Sequence, residues 1–136
     1  DGCSKVILIG RKGITNGYQR QQILEMETMG CEVCVFQMSI LDLEKESASP
    51  DRIWHVATVY NDMLFDDMTE SAWDAVVGAK IKGYQSLRHC WPTTPIVAIS
   101  SVVAYYGNAM QTHYALANAA IDLAARNDPH TLAVRL

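Results

Sequence analysis

A serine, a tyrosine and an asparagine in the last third of the chain have the types and spacing needed to hold a carbonyl oxygen and protonate it. Ser101 lies just beyond the apolar, strand-like run Pro95–Ile99. Tyr114 follows thirteen residues later, and Asn118 comes four residues after Tyr114 on the same predicted helix. A separation of four places two helical side chains on one face. A hydroxyl at a strand end that faces a phenol and an amide is suited to proton delivery, so the pattern predicts a catalytic site.

Lys80 is a charged residue at an unusual place in a predicted amphipathic helix. Thr69 is the predicted N-cap of this helix, which runs to about Arg88. At 100° per residue, Lys80 lies near the middle of the apolar stripe, whereas Lys82 lies on the opposite, solvated side. The stripe consists of Trp73, Val76, Val77, Ile81, Tyr84 and Leu87. A lysine in such a stripe extends its side chain to water, finds a partner or loses its proton. The residues alone favour a functional role for Lys80 and extension of its side chain to solvent equally.

Together these residues fit one mechanism, although each alone has an ordinary structural explanation. A serine after a strand often caps a turn, and a helical tyrosine usually packs with its hydroxyl satisfied. In the catalytic interpretation, Tyr114 donates a proton to the substrate oxygen, and the ammonium of Lys80 makes its phenol a stronger acid. Ser101 would orient the same oxygen. Asn118 would position Lys80 or an ordered water that feeds the proton relay.

A glycine-rich basic turn, Gly10–Gly17, follows the first predicted strand. Its glycines do not have the G-x-G-x-x-G spacing of a dinucleotide-binding loop. Arg11 and Lys12 instead suit the end of the second strand of such a fold, where a basic residue holds the 2′-phosphate that distinguishes NADP from NAD. From spacing alone, two solvated loop cations are the favoured interpretation.

The predicted elements alternate between strands and helices. The strands are Lys5–Ile9, Cys31–Phe36, Ile53–Ala57, Pro95–Ile99 and Thr131–Val134. The helices are Tyr18–Met29, Thr69 to about Arg88, and Asn108 or Ala109 to about Arg126. This alternation predicts an α/β fold, a Rossmann-like doubly wound parallel sheet with helices on both faces and ligands at the carboxyl ends of its strands. The N-terminal strand and glycine loop of such a fold are missing, and residues 41–52 are short for a crossover between parallel strands. Residues 1–136 are therefore expected to form one partial domain.

Composition and charge disfavour several functional classes. The net charge of −4 gives no support to binding of nucleic acid or of an anionic membrane. No run approaches the roughly 18–20 apolar residues of a membrane span, and the N-terminus does not resemble a secretory signal. Cys31 and Cys34 form a C-x-x-C, but on a strand they point to opposite faces and no further ligand pair completes a zinc site. No metal is therefore expected, and reduced thiols in a cytoplasmic protein are the favoured interpretation.

The four histidines are not predicted to be catalytic. They are His55, His89, His113 and His130, and none has a suitably spaced acid or nucleophile. His113 directly precedes Tyr114, but it is predicted to face another side of the helix and to lie on the surface.

The segment SSVVAYYGNAMQTHYALANAAIDLAA resembles the active-site region of ketoreductase domains in type I fatty acid and polyketide synthases, within the short-chain dehydrogenase/reductase superfamily. Those domains carry an S-S-x(5)-G-x(3)-Q-x-x-Y-x-x-x-N pattern. It is matched here by Ser100, Ser101, Gly107, Gln111, Tyr114 and Asn118. The segment TESAWDAVVGAKIKGYQSL is similar to the family's lysine-bearing helix, with Ala79 where proline is usual and Lys80 as the catalytic-type lysine. GRKGITNGYQRQQILEMETMGCEV is most similar to the animal fatty acid synthase version.

The resemblance implies a set of catalytic residues and a cofactor. The implied catalytic residues are Tyr114, Ser101, Lys80 and Asn118, and the implied cofactor is NADPH. The implied cofactor-binding residues are Arg11, Lys12, Ser39, Ala57, Thr58, Lys80 and Tyr114. Ser39 stands where an aspartate is usual in the family, and Thr58 stands where a small residue is usual.

The resemblance also implies a reaction and its partners. A 3-oxoacyl chain tethered to an acyl carrier protein would be reduced to a 3-hydroxyacyl chain within a multifunctional, cytoplasmic fatty acid synthase. Other synthase domains would be partners, and the parent protein would be a homodimer. Two alternatives stay open, namely a polyketide synthase ketoreductase and a non-catalytic structural segment of a synthase.

Overall fold

A computed structural model describes residues 2–43 and 49–136 of the chain. The chain divides into two compact units, Asp1–Asp42 and Leu43–Leu136. The short connection expected over 41–52 falls partly on residues 44–48, which lie outside the described residues. Organisation as one partial domain stays a prediction.

The first unit is a β-α-β arrangement. Strand β1 (Lys5–Ile9) and strand β2 (Glu32–Phe36) are parallel, and helix α1 (Gly17–Thr28) connects them. Asn16 caps α1 because its side chain accepts a hydrogen bond from the Gln19 amide at 2.9 Å. Gly30 follows the helix with a φ of +88°, a conformation that favours glycine. The elements predicted for this segment are confirmed to within two residues.

The second unit contains a three-stranded parallel sheet with β4 in the centre. Its strands are β3 (Ile53–His55), β4 (Ile96–Ser100) and β5 (Thr131–Arg135), in the order β3-β4-β5. Alternate residues of β4 are buried, which makes this strand the middle of the core. Observed β3 is shorter than predicted, so Ala57 and Thr58 lie in the loop after it.

A long helical segment connects β3 to β4 and contains a wide turn. Helix α2 (Glu70–Val77) continues through a π-helical turn (Gly78–Lys82) into helix α3 (Gly83–Cys90). Thr69 caps α2 as predicted, since its hydroxyl accepts a hydrogen bond from the Ala72 amide at 3.2 Å. The predicted extent of this helical segment is confirmed, but the spacing of its apolar residues gave no sign of the π-helical turn.

The chain between β4 and β5 forms two helices, where one was predicted. Helix α4 (Val103–Tyr106) is a single turn, and helix α5 (Thr112–Asn127) crosses back to β5. The predicted start of α5 at Asn108 or Ala109 is wrong because the backbone between the helices is not helical. Gly107 has a φ of 69° and Met110 a φ of 64°, and the left-handed conformation at both positions interrupts the helix.

Candidate active site

The carboxyl end of β4 carries the two predicted serines. Ser100 ends the strand, and its hydroxyl donates a hydrogen bond to the Asn118 carbonyl oxygen at 3.3 Å, which ties β4 to α5. The Ser101 hydroxyl accepts a hydrogen bond from the Val103 amide at 3.3 Å and donates one to the Leu136 carbonyl oxygen, also at 3.3 Å. Ser101 therefore shapes the turn after the strand and lies at the strand end, where ligands bind in this fold class.

Lys80 is buried beside the same strand. Its side chain is only 1% exposed, and Nζ donates a hydrogen bond to the Ile99 carbonyl oxygen at 2.5 Å. Burial lowers the pKa of Lys80 from 10.5 to about 8, because the ammonium loses its hydration. Lys80 is thus mostly protonated at neutral pH and has two further N–H groups to donate. The predicted place in the apolar stripe is confirmed, as is the exposed position of Lys82, which pairs with Asp74 at 3.2 Å.

The π-helical turn Gly78–Lys82 determines where Lys80 lies on the helix. Such turns insert one residue into a helix and frequently occur at functional sites. The His55 ring Nε2 donates a hydrogen bond to the Lys80 carbonyl oxygen at 2.9 Å, which fixes the turn against the end of β3. Burial lowers the pKa of His55, so this ring is neutral at pH 7 and leaves Lys80 as the cation here.

Tyr114 and Asn118 lie one turn apart on the buried face of α5. Tyr114 is 7% exposed and Asn118 is fully buried. The Asn118 amide nitrogen donates a hydrogen bond to the Tyr114 carbonyl oxygen at 2.8 Å, whereas its Oδ1 atom is buried without a partner. Within the described residues no hydrogen bond joins Asn118 to Lys80 directly. The two are instead linked through β4, since Ser100 bonds to Asn118 and Lys80 bonds to Ile99.

His113 is buried, so the prediction that it lies on the surface is wrong. It is fully inaccessible, and its ring Nε2 donates a hydrogen bond to the Asn61 carbonyl oxygen at 2.9 Å. The physical reason is that the loop after β3 packs against the start of α5 and widens the buried face of that helix. The sequence carried a signal, because His113, Ala117 and Ile121 recur every four residues along one stripe.

Tyr60 is a site residue that the sequence reasoning missed. Its ring centroid lies 5.2 Å from that of Tyr114, with the ring planes inclined by 41°. Tyr60 follows β3 by five residues, and its place beyond the carboxyl end of a parallel strand was the available signal.

The predicted contacts to the adenosine end of the cofactor lie in the first unit. Arg11 and Lys12 are exposed in the turn after β1, where the Gly13 amide donates a hydrogen bond to the Gly10 carbonyl oxygen at 3.2 Å. Ser39 is half-buried after β2, and its hydroxyl accepts a hydrogen bond from the Leu41 amide at 3.2 Å. The predicted catalytic residues and the half-buried Ala57 and Thr58 belong to the second unit. Cofactor contacts by these residues stay predictions.

Two further properties concern metals and membranes. Across residues 2–43 and 49–136, no group of three or more His, Cys, Asp or Glu side chains could hold a metal ion. In the same part of the chain, no helix has the length and apolar character needed to cross a bilayer.

Parallel strands connected by helices, with polar residues at the carboxyl end of the central strand, define a Rossmann-like α/β protein. The family model described as "KR domain" matches residues 1–131. The chain therefore belongs to the KR domain family, and the resemblance read from the sequence is confirmed.

The most similar curated proteins compared with the chain include several fungal polyketide synthases. A highly reducing polyketide synthase of Nectria sp is 28% identical over 131 residues, which covers 89% of this chain and 6% of that protein. A highly reducing polyketide synthase of Emericella nidulans is 27% identical over 129 residues, covering 86% of this chain and 5% of that protein. The chain thus spans only about one-twentieth of these large proteins. They are polyketide synthases, so they do not support the expected animal fatty acid synthase branch.

Solved structures support the same fold. The first ketoreductase of the tylosin polyketide synthase matches with a TM-score of 0.78 and 26% identity, over 97% of this chain and 32% of that chain. A ketoreductase from the first module of phoslactomycin biosynthesis in Streptomyces sp. HK803 matches with a TM-score of 0.84 and 23% identity, over 97% of this chain and 34% of that chain. The predicted Rossmann-like fold is confirmed, and the chain corresponds to about one-third of each of these structures.

Proposed function

We propose that this chain is the catalytic part of a ketoreductase in a polyketide synthase. It would reduce a 3-oxoacyl chain to a 3-hydroxyacyl chain, with NADPH as the reductant. The observation that carries the proposal is the burial of Lys80 against the backbone of β4. Ser101 follows the end of this strand, and a hydrogen bond from Ser100 to Asn118 ties the strand to α5, which carries Tyr114.

The relatives favour a polyketide over a fatty acid synthase as the parent protein. The resemblance in GRKGITNGYQRQQILEMETMGCEV pointed to the animal fatty acid synthase branch, but the relatives described above are fungal polyketide synthases. Both branches use the same reaction and differ in the acyl chain. The parent protein would deliver this chain on a carrier protein, and its other domains would surround the ketoreductase in a homodimer in the cytoplasm.

Four residues have distinct roles in the proposed reaction. Tyr114 donates its phenolic proton to the substrate oxygen as that oxygen gains negative charge. Ser101 would turn its single hydroxyl proton, which bonds to the Leu136 carbonyl oxygen in this structure, toward the same substrate oxygen and fix its position. Lys80, which is mostly protonated at neutral pH and bonds to the Ile99 carbonyl oxygen, would stabilise the negative charge left on Tyr114. Asn118 offers its unpartnered Oδ1 atom as an acceptor for the water relay that restores the proton.

Each compact unit, taken by itself, carries residues whose chemistry suits one part of NADPH. The exposed Arg11 and Lys12 offer a guanidinium fork and an ammonium to a 2′-phosphate, which NADH lacks. Ser39 would lie toward the adenine, whereas Ala57 and Thr58 would line the nicotinamide side with Lys80 and Tyr114. When bound, NADPH would supply the hydride that the carbonyl carbon accepts.

The proposal is tested by removing one oxygen atom from Tyr114 in the polypeptide that contains this chain. Tyr114→Phe should lower kcat for reduction of a 3-oxobutyryl thioester by at least about 100-fold, because the general acid is lost. NADPH binding, followed by nicotinamide fluorescence, should change little. The rate is measured from the absorbance of NADPH at saturating thioester.

Tyr106→Phe is the matched control, since Tyr106 is 86% exposed and has no part in the proposed chemistry. It should retain the kcat of the unaltered protein. Retained turnover in Tyr114→Phe would exclude the proposed role of Tyr114. A folded, NADPH-binding protein without any turnover before substitution would favour the non-catalytic alternative.

A further inference from the structure

We propose that Tyr60 is a positioning residue that acts through Tyr114, holding the face of its ring and donating a hydrogen bond to its oxygen as the proton leaves. This inference rests on the proposed function and adds a second phenol to the site. Tyr60 belongs to the loop after β3, whereas Tyr114 belongs to α5, so the pair connects two separate elements of the second unit.

The first support for this role is the direct contact between the two rings. Their centroids are 5.2 Å apart at an inclination of 41°, within the range of favourable aromatic pairs. Tyr114 is 7% exposed, whereas Tyr60 is 68% exposed. Tyr60 therefore covers the inner phenol from the solvent side, where it can restrict the orientations that the Tyr114 ring adopts.

The second support is that three hydrogen bonds anchor the loop next to Tyr60 to the start of α5. The His113 ring donates to the Asn61 carbonyl oxygen at 2.9 Å, and the Gln111 amide donates to the Asp62 carboxylate at 2.9 Å. The Met63 amide donates to the carbonyl oxygen of Met110 at 2.9 Å. An exposed tyrosine on a free loop would sample many positions, but this anchoring holds Tyr60 over Tyr114.

Met110 shows that the anchoring has an energetic cost. It is the only non-glycine residue with a positive φ in the described part of the chain, at 64°. This left-handed conformation is strained for a residue with a side chain. Its carbonyl oxygen accepts the hydrogen bond from Met63, so the strained backbone serves the contact between the loop and α5.

The third support is the interaction between the two hydroxyl groups. The neighbouring Tyr114 raises the pKa of Tyr60 above its ordinary value of 10.0, because the Tyr60 proton can be donated to Tyr114 and because a Tyr114 phenolate would repel a second negative charge. Among the described residues no hydrogen bond joins the two hydroxyls, so the bond from Tyr60 is inferred to form as negative charge develops on Tyr114. Catalytic hydrogen bonds commonly tighten only when charge develops.

The groups that face this pair determine which hydroxyl donates. Asp62, on the same loop, also raises the pKa of Tyr60, so Tyr60 keeps its proton. On α5 the neighbouring His113 bonds to the loop backbone, and α5 packs against the π-helical turn that carries Lys80. A cation on the side of Tyr114 and a carboxylate on the side of Tyr60 favour negative charge on Tyr114, with Tyr60 as the donor.

The proton balance of the step is simple. The O–H bond of Tyr114 breaks as the substrate oxygen, made basic by hydride from NADPH, forms a new O–H bond. The Tyr114 oxygen is left negative, and the Tyr60 hydroxyl donates to it without giving up its own proton. Water later returns a proton to Tyr114, and Tyr60 is unchanged at the end of the cycle.

Tyr60→Phe isolates the hydroxyl, because the ring and its contact remain. In the polypeptide that contains this chain, its kcat for the 3-oxobutyryl thioester should fall by about five- to tenfold, with KM within about twofold of the parent value. Thermal stability should not change. Tyr106→Phe, which removes a still more exposed tyrosine hydroxyl elsewhere, should leave kcat and KM unaltered.

A measurement without turnover tests the same contact. With ¹³C-labelled tyrosine, the NMR titration of Tyr60 should shift to lower pH in Tyr114→Phe, because the group that raises its pKa is gone. An unshifted Tyr60 titration, or a Tyr60→Phe protein with the parent kcat, would overturn the inference while leaving the proposed function intact. An inactive parent protein would instead overturn the proposed function, and the role of Tyr60 with it.

Discussion

At the scale of single residues, the site depends on how one ammonium is held inside the protein. Lys80 is 1% exposed and its nearest described partner is a backbone carbonyl, not a carboxylate. A neutral partner does not cancel the charge, so the ammonium remains available to stabilise a negative oxygen nearby. The same arrangement lowers the pKa of Lys80 to about 8, which brings its titration into an accessible pH range.

The lowered pKa of Lys80 predicts opposite pH trends for activity and stability. Between about pH 8 and 10.5 the unfolded chain keeps a proton on Lys80 that the folded protein releases. The contribution of Lys80 to the free energy of unfolding therefore rises with pH, by roughly 3 kcal/mol across this interval. Over the same interval kcat should fall, because the ammonium is lost. Denaturant unfolding and initial rates measured at the same pH values check both trends.

Lys80→Met separates these effects from all other titrations. The variant should lose most of its activity, lose the Lys80 component of the stability–pH curve, and be no less stable than the parent protein at pH 7, since a buried charge is removed. Lys82→Met is the control, because Lys82 is exposed and pairs only with Asp74. If Lys80→Met reduced at the parent rate, Lys80 would have no catalytic role.

At the scale of elements, an ion pair joins α3 to the turn before β5. Arg88 pairs with Asp128 through Nε at 2.5 Å, and its Nη1 donates to the Thr94 carbonyl oxygen at 2.7 Å. The Tyr84 hydroxyl donates to the same carboxylate at 2.7 Å. Because Thr94 and Asp128 precede β4 and β5, this clamp lies at the amino ends of the strands, opposite the catalytic residues.

Asp128→Asn should destabilise the second unit at neutral pH. Burial alone would raise the pKa of Asp128, but hydrogen bonds from His130, Thr131 and Tyr84 and the charge of Arg88 outweigh it and lower the pKa to about 2. Because the Asp128 side chain is only 19% exposed, the lowered pKa corresponds to a contribution of about 2 kcal/mol to the free energy of unfolding. This contribution is present above about pH 4 and is lost as the pH falls toward 2. Urea unfolding at pH 7 and at pH 2.5 measures it. Asp74→Asn, in an exposed pair, should cost less than about 1 kcal/mol, and an equal loss in both variants would contradict the account.

The extent of the elements could be predicted from the sequence, but their irregularities could not. Continuous apolar runs and the Thr69 cap located the strands and α2, because burial and capping leave local signals. The π-helical turn around Lys80 and the left-handed Met110 left none, since tertiary contacts stabilise both. His113 was misplaced although it shares a stripe with Ala117 and Ile121, because the loop that completes its burial, at Asn61, is distant in sequence.

At the scale of the whole molecule, the proposed catalytic residues could be picked out from the sequence because they lie close together in it. Ser101, Tyr114 and Asn118 fall within one strand–helix pair, and Lys80 lies on the preceding helix. Tyr60 could not be found this way, since its contact with Tyr114 spans the segment containing α2 and β4. The exposed Arg11 and Lys12 belong to a separate compact unit, so their role in cofactor binding depends on the arrangement of the parent protein.

The most direct test of the central claim is isotope transfer by the polypeptide that contains this chain. NADPH carrying deuterium at the transferred position is incubated with a 3-oxobutyryl thioester, and the acyl product is analysed by mass spectrometry. The account predicts a 3-hydroxybutyryl thioester with a single deuterium at C3, formed by the parent protein and nearly absent with Tyr114→Phe. Recovery of only unreacted 3-oxobutyryl thioester from a folded parent protein that binds NADPH would contradict the assignment.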